Sequence, residues 1–132
     1  MFALDNTSDT NNIVNDADYE LKDGKDGGKI LVKYKGKSGE VIIPDELNIT
    51  EIQYHAFGGN SDITKIKSNT VKKIGHAAFH DCTNLESVDF PNVTIIEAFV
   101  FLHCYSLETV NFPKVETIGH GAFRIVKNYQ VF

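Results

Sequence analysis

The sequence predicts an α+β repeat solenoid of about four 22-residue rungs, entered through an N-terminal β-hairpin cap. Three observations predict it. Phe57, Phe79, Phe101 and Phe123 recur 22 residues apart, and Ile52, Ile74, Ile96 and Ile118 precede them at one constant offset. Other apolar columns keep this register: Ile63, Leu85 and Leu107 with Tyr129, then Ile66, Val88 and Val110 with Phe132, then Val71, Val93 and Val115. Ahead of the copies, short β-prone runs alternate with glycine clusters, as in hairpins. A unit this small cannot bury its apolar face alone, so the copies must stack around one shared core.

Residues 1–18 are rich in Asp, Asn, Ser and Thr and cannot repay the entropy of ordering, so they read as a flexible acidic leader. Residues 19–48 form the β cap: Tyr19-Glu-Leu21, Ile30-Leu-Val-Lys-Tyr34 and Glu40-Val-Ile-Ile43 are extended runs between glycine turns. The last of these, Val41-x-Ile43-Pro44, matches Val88-x-Phe90-Pro91 and Val110-x-Phe112-Pro113, so it reads as a degenerate rung feeding the repeats. The stretch from Pro44 to Ile52 is three residues longer than that from Pro91 to Ile96, which predicts a loop at Asp45 to Asn48.

Residues 49–132 are the repeats. In Leu85-Glu-Ser-Val88-Asp-Phe90 apolar and polar residues alternate toward the end, the period of a strand with one face buried. Pro91 and Pro113 stop that strand, and Val93-x-x-Ile96 starts a second one. From His76 to Cys82 the apolar spacing of three predicts one turn of α- or 3₁₀-helix, too short to stand alone. The last copy is truncated: Tyr129 and Phe132 align with Leu107 and Val110, and no closing proline follows. An uncovered rung is a template for pairing, so the chain is either part of a longer array or a homo-oligomer through its C-terminal repeat.

Charge excludes some functions. Of the net −5, residues 1–28 hold seven acids against two lysines, while the remainder holds eleven of each sign. A neutral body without a basic stripe is not built for nucleic acid. No apolar run is long enough for membrane insertion, and the start is too short and too acidic for a secretion signal.

The run Ile74-Gly75-His-Ala-Ala78-Phe79-His-Asp-Cys82-Thr-Asn-Leu85-Glu-Ser-Val88-Asp-Phe90-Pro91 resembles the BspA-like, or Treponema pallidum-type, leucine-rich repeats at every position of their pattern. The cap sequence Tyr34 to Pro44 is similar to the leader preceding such repeats, and together the likeness covers about residues 19 to 132. It implies a right-handed leucine-rich-repeat coil, a non-enzymatic protein-interaction or adhesion module, and a cell-surface or secreted location. The alternative is an intracellular or structural scaffold that self-associates through its C-terminal repeat. Gln53 and Glu97 replace the family glycine kept at Gly75 and Gly119, so two rungs are strained if that position needs a positive φ. The first copy ends in Ser68-Asn69 where the others have an apolar residue and proline.

Two surfaces are candidate partner sites. Lys65, Ser87 and Thr109, with Lys67, Asp89 and Asn111 beside them, occupy strand positions that cannot point into the core, and so form either a polar platform for a protein or glycan partner or a solvated face with no ligand; the resemblance implies a protein partner on a host or neighbouring cell. Ile95, Phe99 and Leu102 take offsets filled elsewhere by Lys73, Ala77 and His80, which predicts an apolar outer patch unless the rung repacks locally.

No cofactor, metal site or catalytic group is expected. His76 and His120 share an offset but lie two rungs apart, roughly 10 Å, too far to share an ion. His80 and His103 can approach across adjacent rungs, but exposed turn histidines are the better reading. Cys104 beside His103 is a poor nucleophile, because it occupies the slot that the family buries. Cys82 and Cys104, 22 apart, read as buried thiols, with a disulfide between stacked rungs as the alternative.

Overall fold

The computed structural model describes residues 16–126. A 3₁₀ turn, Asp16–Asp18, leads into the antiparallel hairpin of β1 (Tyr19–Asp23) and β2 (Lys29–Tyr34). Then follow β3 (Glu40–Ile42), a 3₁₀ turn at Asp45–Leu47 and β4 (Ile49–Ile52). Each later rung carries two short strands: β5 (Lys65–Lys67) and β6 (Lys73–Ile74), β7 (Ser87–Asp89) and β8 (Ile95–Ile96), β9 (Thr109–Asn111) and β10 (Thr117–Ile118). The strands build two sheets, one ordered β1-β2-β4-β6-β8-β10 and the other β3-β5-β7-β9.

All pairs other than the hairpin are parallel, and equivalent residues of successive rungs pair without slip: Val41, Ile66, Val88 and Val110 in one sheet, Ile52, Ile74 and Ile96 in the other. The 22-residue period is therefore the length of one turn of a β-solenoid. β3 stacks as the degenerate rung that Val41-x-Ile43-Pro44 predicts. Asn48, at φ 51, ends the extra Asp45–Leu47 turn and returns the chain to β4.

Within the described residues, helix is confined to the two 3₁₀ turns. The helical turn expected from His76 to Cys82, and with it the α part of the predicted class, is instead a run of hydrogen-bonded turns forming a third wall. The backbone shows why. The N–H groups of Ala56, Gly58 and Asn60 bond three residues back, whereas those of His55, Phe57 and Gly59 donate to His76, Ala78 and His80 in the next rung. The same alternation recurs at Ala77 to Cys82 and at Phe99 to Cys104, so half of each turn's donors serve stacking rather than a helix.

Two left-handed residues per rung also stop a helix from propagating. His55, Ala77, Phe99 and Gly121 have φ between 55 and 67°, and four residues on, Gly59, Asp81, His103 and Ile125 have φ between 58 and 74°. Gly75 and Gly119 do not share this property, so their position needs no positive φ. They are small because a Cβ at Gly75 would lie 2.9 Å from the Ile52 carbonyl oxygen, and one at Gly119 2.5 Å from the Ala98 nitrogen. Gln53 and Glu97 are therefore not strained at φ. They sit in the rungs against which those two glycines close.

The core is one aromatic spine. Phe57, Phe79, Phe101 and Phe123 stack with ring centroids 4.7, 5.5 and 5.2 Å apart, and Tyr34 of the cap continues the stack 4.9 Å from Phe57. Tyr19 closes the end edge-on against Tyr34. Each fully buried phenylalanine is worth roughly 1.5–3 kcal/mol of transfer free energy. Cys82 and Cys104 are free and buried, and their thiols donate to the carbonyl oxygens of Phe57 (3.2 Å) and Phe79 (3.0 Å) in the preceding rung. In the first rung Ser68 does what Phe90-Pro91 does in the second. Its buried Oγ accepts from the N–H groups of Thr70 and Val71 and closes the turn.

Candidate functional site

The four-stranded sheet turns alternate residues outward because its other alternation is committed to the core. Lys65, Lys67, Thr109 and Asn111 are exposed and Ser87 and Asp89 half-buried, while Ile66 and Val88 between them are buried. Rung stacking aligns them into two columns, Glu40-Lys65-Ser87-Thr109 and Ile42-Lys67-Asp89-Asn111. Lys65 pairs with Glu40 at 3.6 Å, and Asn111 donates to Asp89 at 2.8 Å. Lys67 makes no ion pair with any described residue. Beside it Ile42 is 70% exposed, so an apolar side chain and an uncommitted ammonium stand together. Both line a shallow depression of about 220 Å³ that spans β3, β5 and β7.

The three third-rung residues lie elsewhere. Ile95 is exposed on the outer face of the six-stranded sheet, between Lys73 and Thr117. Phe99 and Leu102 are half-buried on the turn wall. The Phe99 ring fills the space that Gly121 leaves, where a Cβ would come 2.5 Å from it. It is flanked by the rings of His76 and His120, and the Arg124 guanidinium lies 5.6 Å from its centroid. The nine candidate residues thus divide among three faces.

The turn wall also gathers groups that the repeat register does not reveal. His80 Nε2 lies 2.8 Å from His55 Nδ1, His80 Nδ1 lies 2.9 Å from Asp81 Oδ2, and His103 Nδ1 lies 2.8 Å from Asp81 Oδ1. His80 and His103 do approach across adjacent rungs, joined through one carboxylate. Hydrogen bonds from His80 and His103 hold the Asp81 carboxyl below its usual range. Desolvation first, then the neighbouring His80, His76 and Lys33, lowers the His55 pKa. Among the described residues no three His, Cys, Asp or Glu side chains converge on a common point that could hold a metal.

Cys104 and His103 form no nucleophile and base pair. The imidazole is turned to Asp81 and the thiol points into the core, where its hydrogen bond with Cys82 and burial push its pKa up. His55 was not legible as a site residue, since His55 and His80 are 25 apart, one rung plus three. Only the folded turn wall brings that pair together. The expected pairing surface at Tyr129 and Phe132 falls outside the described residues. No described helix is long and apolar enough to cross a membrane.

The sequence pattern of the BspA type leucine rich repeat region matches residues 34–130. The chain belongs to that family. Among solved structures, this BspA-type chain is similar to a Treponema pallidum leucine rich repeat protein, at 26% identity and a TM-score of 0.74, over 84% of this chain and 66% of that one. A leucine-rich repeat protein from Bacteroides capillosus matches equally well, at 26% identity and 0.74, over 89% of this chain and 94% of that one. A leucine rich cell surface protein from Faecalibacterium prausnitzii shares the fold at 21% identity and 0.53, over 83% of this chain and 45% of that one. A search of curated proteins finds no match. Leucine-rich repeats of this kind generally serve as protein-interaction modules and are typically not enzymes.

Proposed function

We propose that this BspA-type chain is a non-enzymatic adhesion module, working at the cell surface and gripping a protein partner through the open face of β3-β5-β7-β9. The observation that carries the reading is the pairing of exposed Ile42 with the uncommitted Lys67 ammonium at the depression between rungs. Together they offer a partner an apolar contact and a charge inside one depression with a polar rim, the make-up of a contact centre. Lys65, Ser87, Asp89, Thr109 and Asn111 extend the same face and supply polar complementarity around that centre. A surface location accords with the naming of the Faecalibacterium protein of this fold as a cell surface protein.

The test is biolayer interferometry of the chain against a panel of purified extracellular-matrix proteins. Ile42→Glu with Lys67→Glu should weaken any binding tenfold or more, whereas Ile95→Lys with Phe99→Glu should leave it unchanged. Loss in the second variant with retention in the first moves the site to the outer faces and ends the reading.

A further inference from the structure

We propose that His55 and His80 are a two-imidazole site for a divalent transition ion of tetragonal preference, copper(II) or nickel(II), with Asp81 as the carboxylate that orients His80. The proposal stands apart from the sheet face, which lies on another wall of the solenoid.

Asp81 is ionised and can only accept, so the His80 nitrogen facing it, Nδ1, carries the ring proton. A neutral His80 then presents the Nε2 lone pair to His55 Nδ1, 2.8 Å away. This is the carboxylate-histidine arrangement that fixes the tautomer of metal-binding imidazoles. His103 Nδ1 donates to the other Asp81 oxygen and anchors the carboxylate from the third rung.

Spacing selects the ion. With metal–nitrogen bonds near 2.0–2.1 Å, two ligands in cis positions at right angles have nitrogens about 2.9 Å apart, and tetrahedral ones about 3.4 Å. In the free chain the 2.8 Å contact is an N–H···N hydrogen bond, and an ion that replaces its proton without moving the rings takes the right angle. The ring centroids lie 4.4 Å apart with planes at 67°, so the rings meet edge-on at their nitrogens.

The backbone holds this spacing in place. His55 sits at φ 60, and the ladder bonds from Phe57 N to Ala78 O and from Gly59 N to His80 O fix the two rungs on either side. Gly58 gives the His80 ring its room, since a Cβ there would lie 2.3 Å from Nε2. No other rung pair repeats the site. The equivalent pairs are Ala77 with Leu102 and Phe99 with Arg124. Other ligand positions fall to water, and Lys33 and His76 nearby oppose a cation, so affinity should be micromolar rather than nanomolar.

The experiment titrates the full, tag-free chain with Cu2+, Ni2+ and Zn2+ by calorimetry, with electron paramagnetic resonance of the copper form and imidazole NMR of the nickel form. We expect one Cu2+ or Ni2+ per chain, two-nitrogen hyperfine coupling, and first paramagnetic broadening at His55 and His80. His55→Gly and His80→Leu place at each site the residue that another rung carries there, and each should remove binding with the circular dichroism spectrum unchanged. Asp81→Asn should weaken binding about tenfold or more, and His76→Ala with His120→Ala should not. Absence of saturable binding below millimolar ion overturns the proposal, as does first broadening at His76 or His120. The NMR readout on the unaltered chain decides the matter even if a variant does not fold. Zinc binding tighter than nickel overturns the tetragonal assignment.

Discussion

Phe79 is the ring whose removal tests the spine. It is fully buried and lies 4.7 Å from Phe57, 5.5 Å from Phe101 and 6.2 Å from Phe90 by ring centroid. Phe79→Ala opens a cavity among three aromatic neighbours, so the cost should be about 3–5 kcal/mol. That is a third or more of a stability of roughly 5–15 kcal/mol. A one-dimensional stack makes a sharper demand. Phe57 and Phe79 touch, so a double-mutant cycle with leucine at both should show a coupling of about 0.5–1.5 kcal/mol. Phe57 and Phe101 are separated by the ring of Phe79, so their leucine variants should add to within about 0.5 kcal/mol. With no tryptophan in the chain, the assay is urea unfolding followed by far-ultraviolet circular dichroism, with the slope on urea compared across variants. A Phe79→Ala cost under about 1 kcal/mol, or equal coupling in both pairs, refutes the stacked spine.

Further outcomes concern other parts of the fold. In the cap, Asp26 accepts from the Gly28 N–H and the Thr50 hydroxyl, which lower its pKa below the usual 3.8. Its stabilisation is complete above that unfolded value and disappears as pH falls through the lower folded one. Melting temperature measured between pH 5 and 2.5 should therefore fall less steeply in Asp26→Asn than in the unaltered chain, and equal slopes count against the cap geometry. Gly119→Ala drives a Cβ to 2.5 Å from the Ala98 nitrogen and should cost about 1–3 kcal/mol by overpacking, read as a drop in urea midpoint. Gly59→Ala meets open space but holds φ at 74°, so strain alone should cost about 1–2 kcal/mol. The buried Cys82 and Cys104 thiols should react with a thiol reagent at pH 8 only as fast as the chain opens, and mild urea should accelerate labelling. Reaction at the rate of a free thiol would show that the column is open to water.

The repeat register made most of the core legible, because a column of identical residues at one spacing can only arise from one environment met again in each rung. The phenylalanine, isoleucine and valine columns, the buried cysteines and the extra turn after Pro44 all follow from it. So does the outward face of Lys65, Lys67, Ser87, Asp89, Thr109 and Asn111, because strand alternation assigns one face to water once the other is apolar. The reason for glycine at positions 75 and 119 was not legible, because small size and a positive φ call for the same residue. Only the approach of the neighbouring backbone tells them apart.

By itself, then, the sequence determined the rung: its length, its two strands, which columns are buried and which are wet. Those are properties of one unit and its copies, and a period expresses them directly. The tertiary structure decided what happens between unlike residues of adjacent rungs. It spent half of the turn donors on stacking and so excluded helix, laid Phe99 across Gly121, set Ile42 beside Lys67, and joined His55, His80, Asp81 and His103. His55 and His80 meet diagonally across the register, whereas Ile42 with Lys67, Phe99 with Gly121 and Asp81 with His103 share columns whose residue types change from rung to rung, so these contacts depend on side-chain directions that only the stacked rungs define.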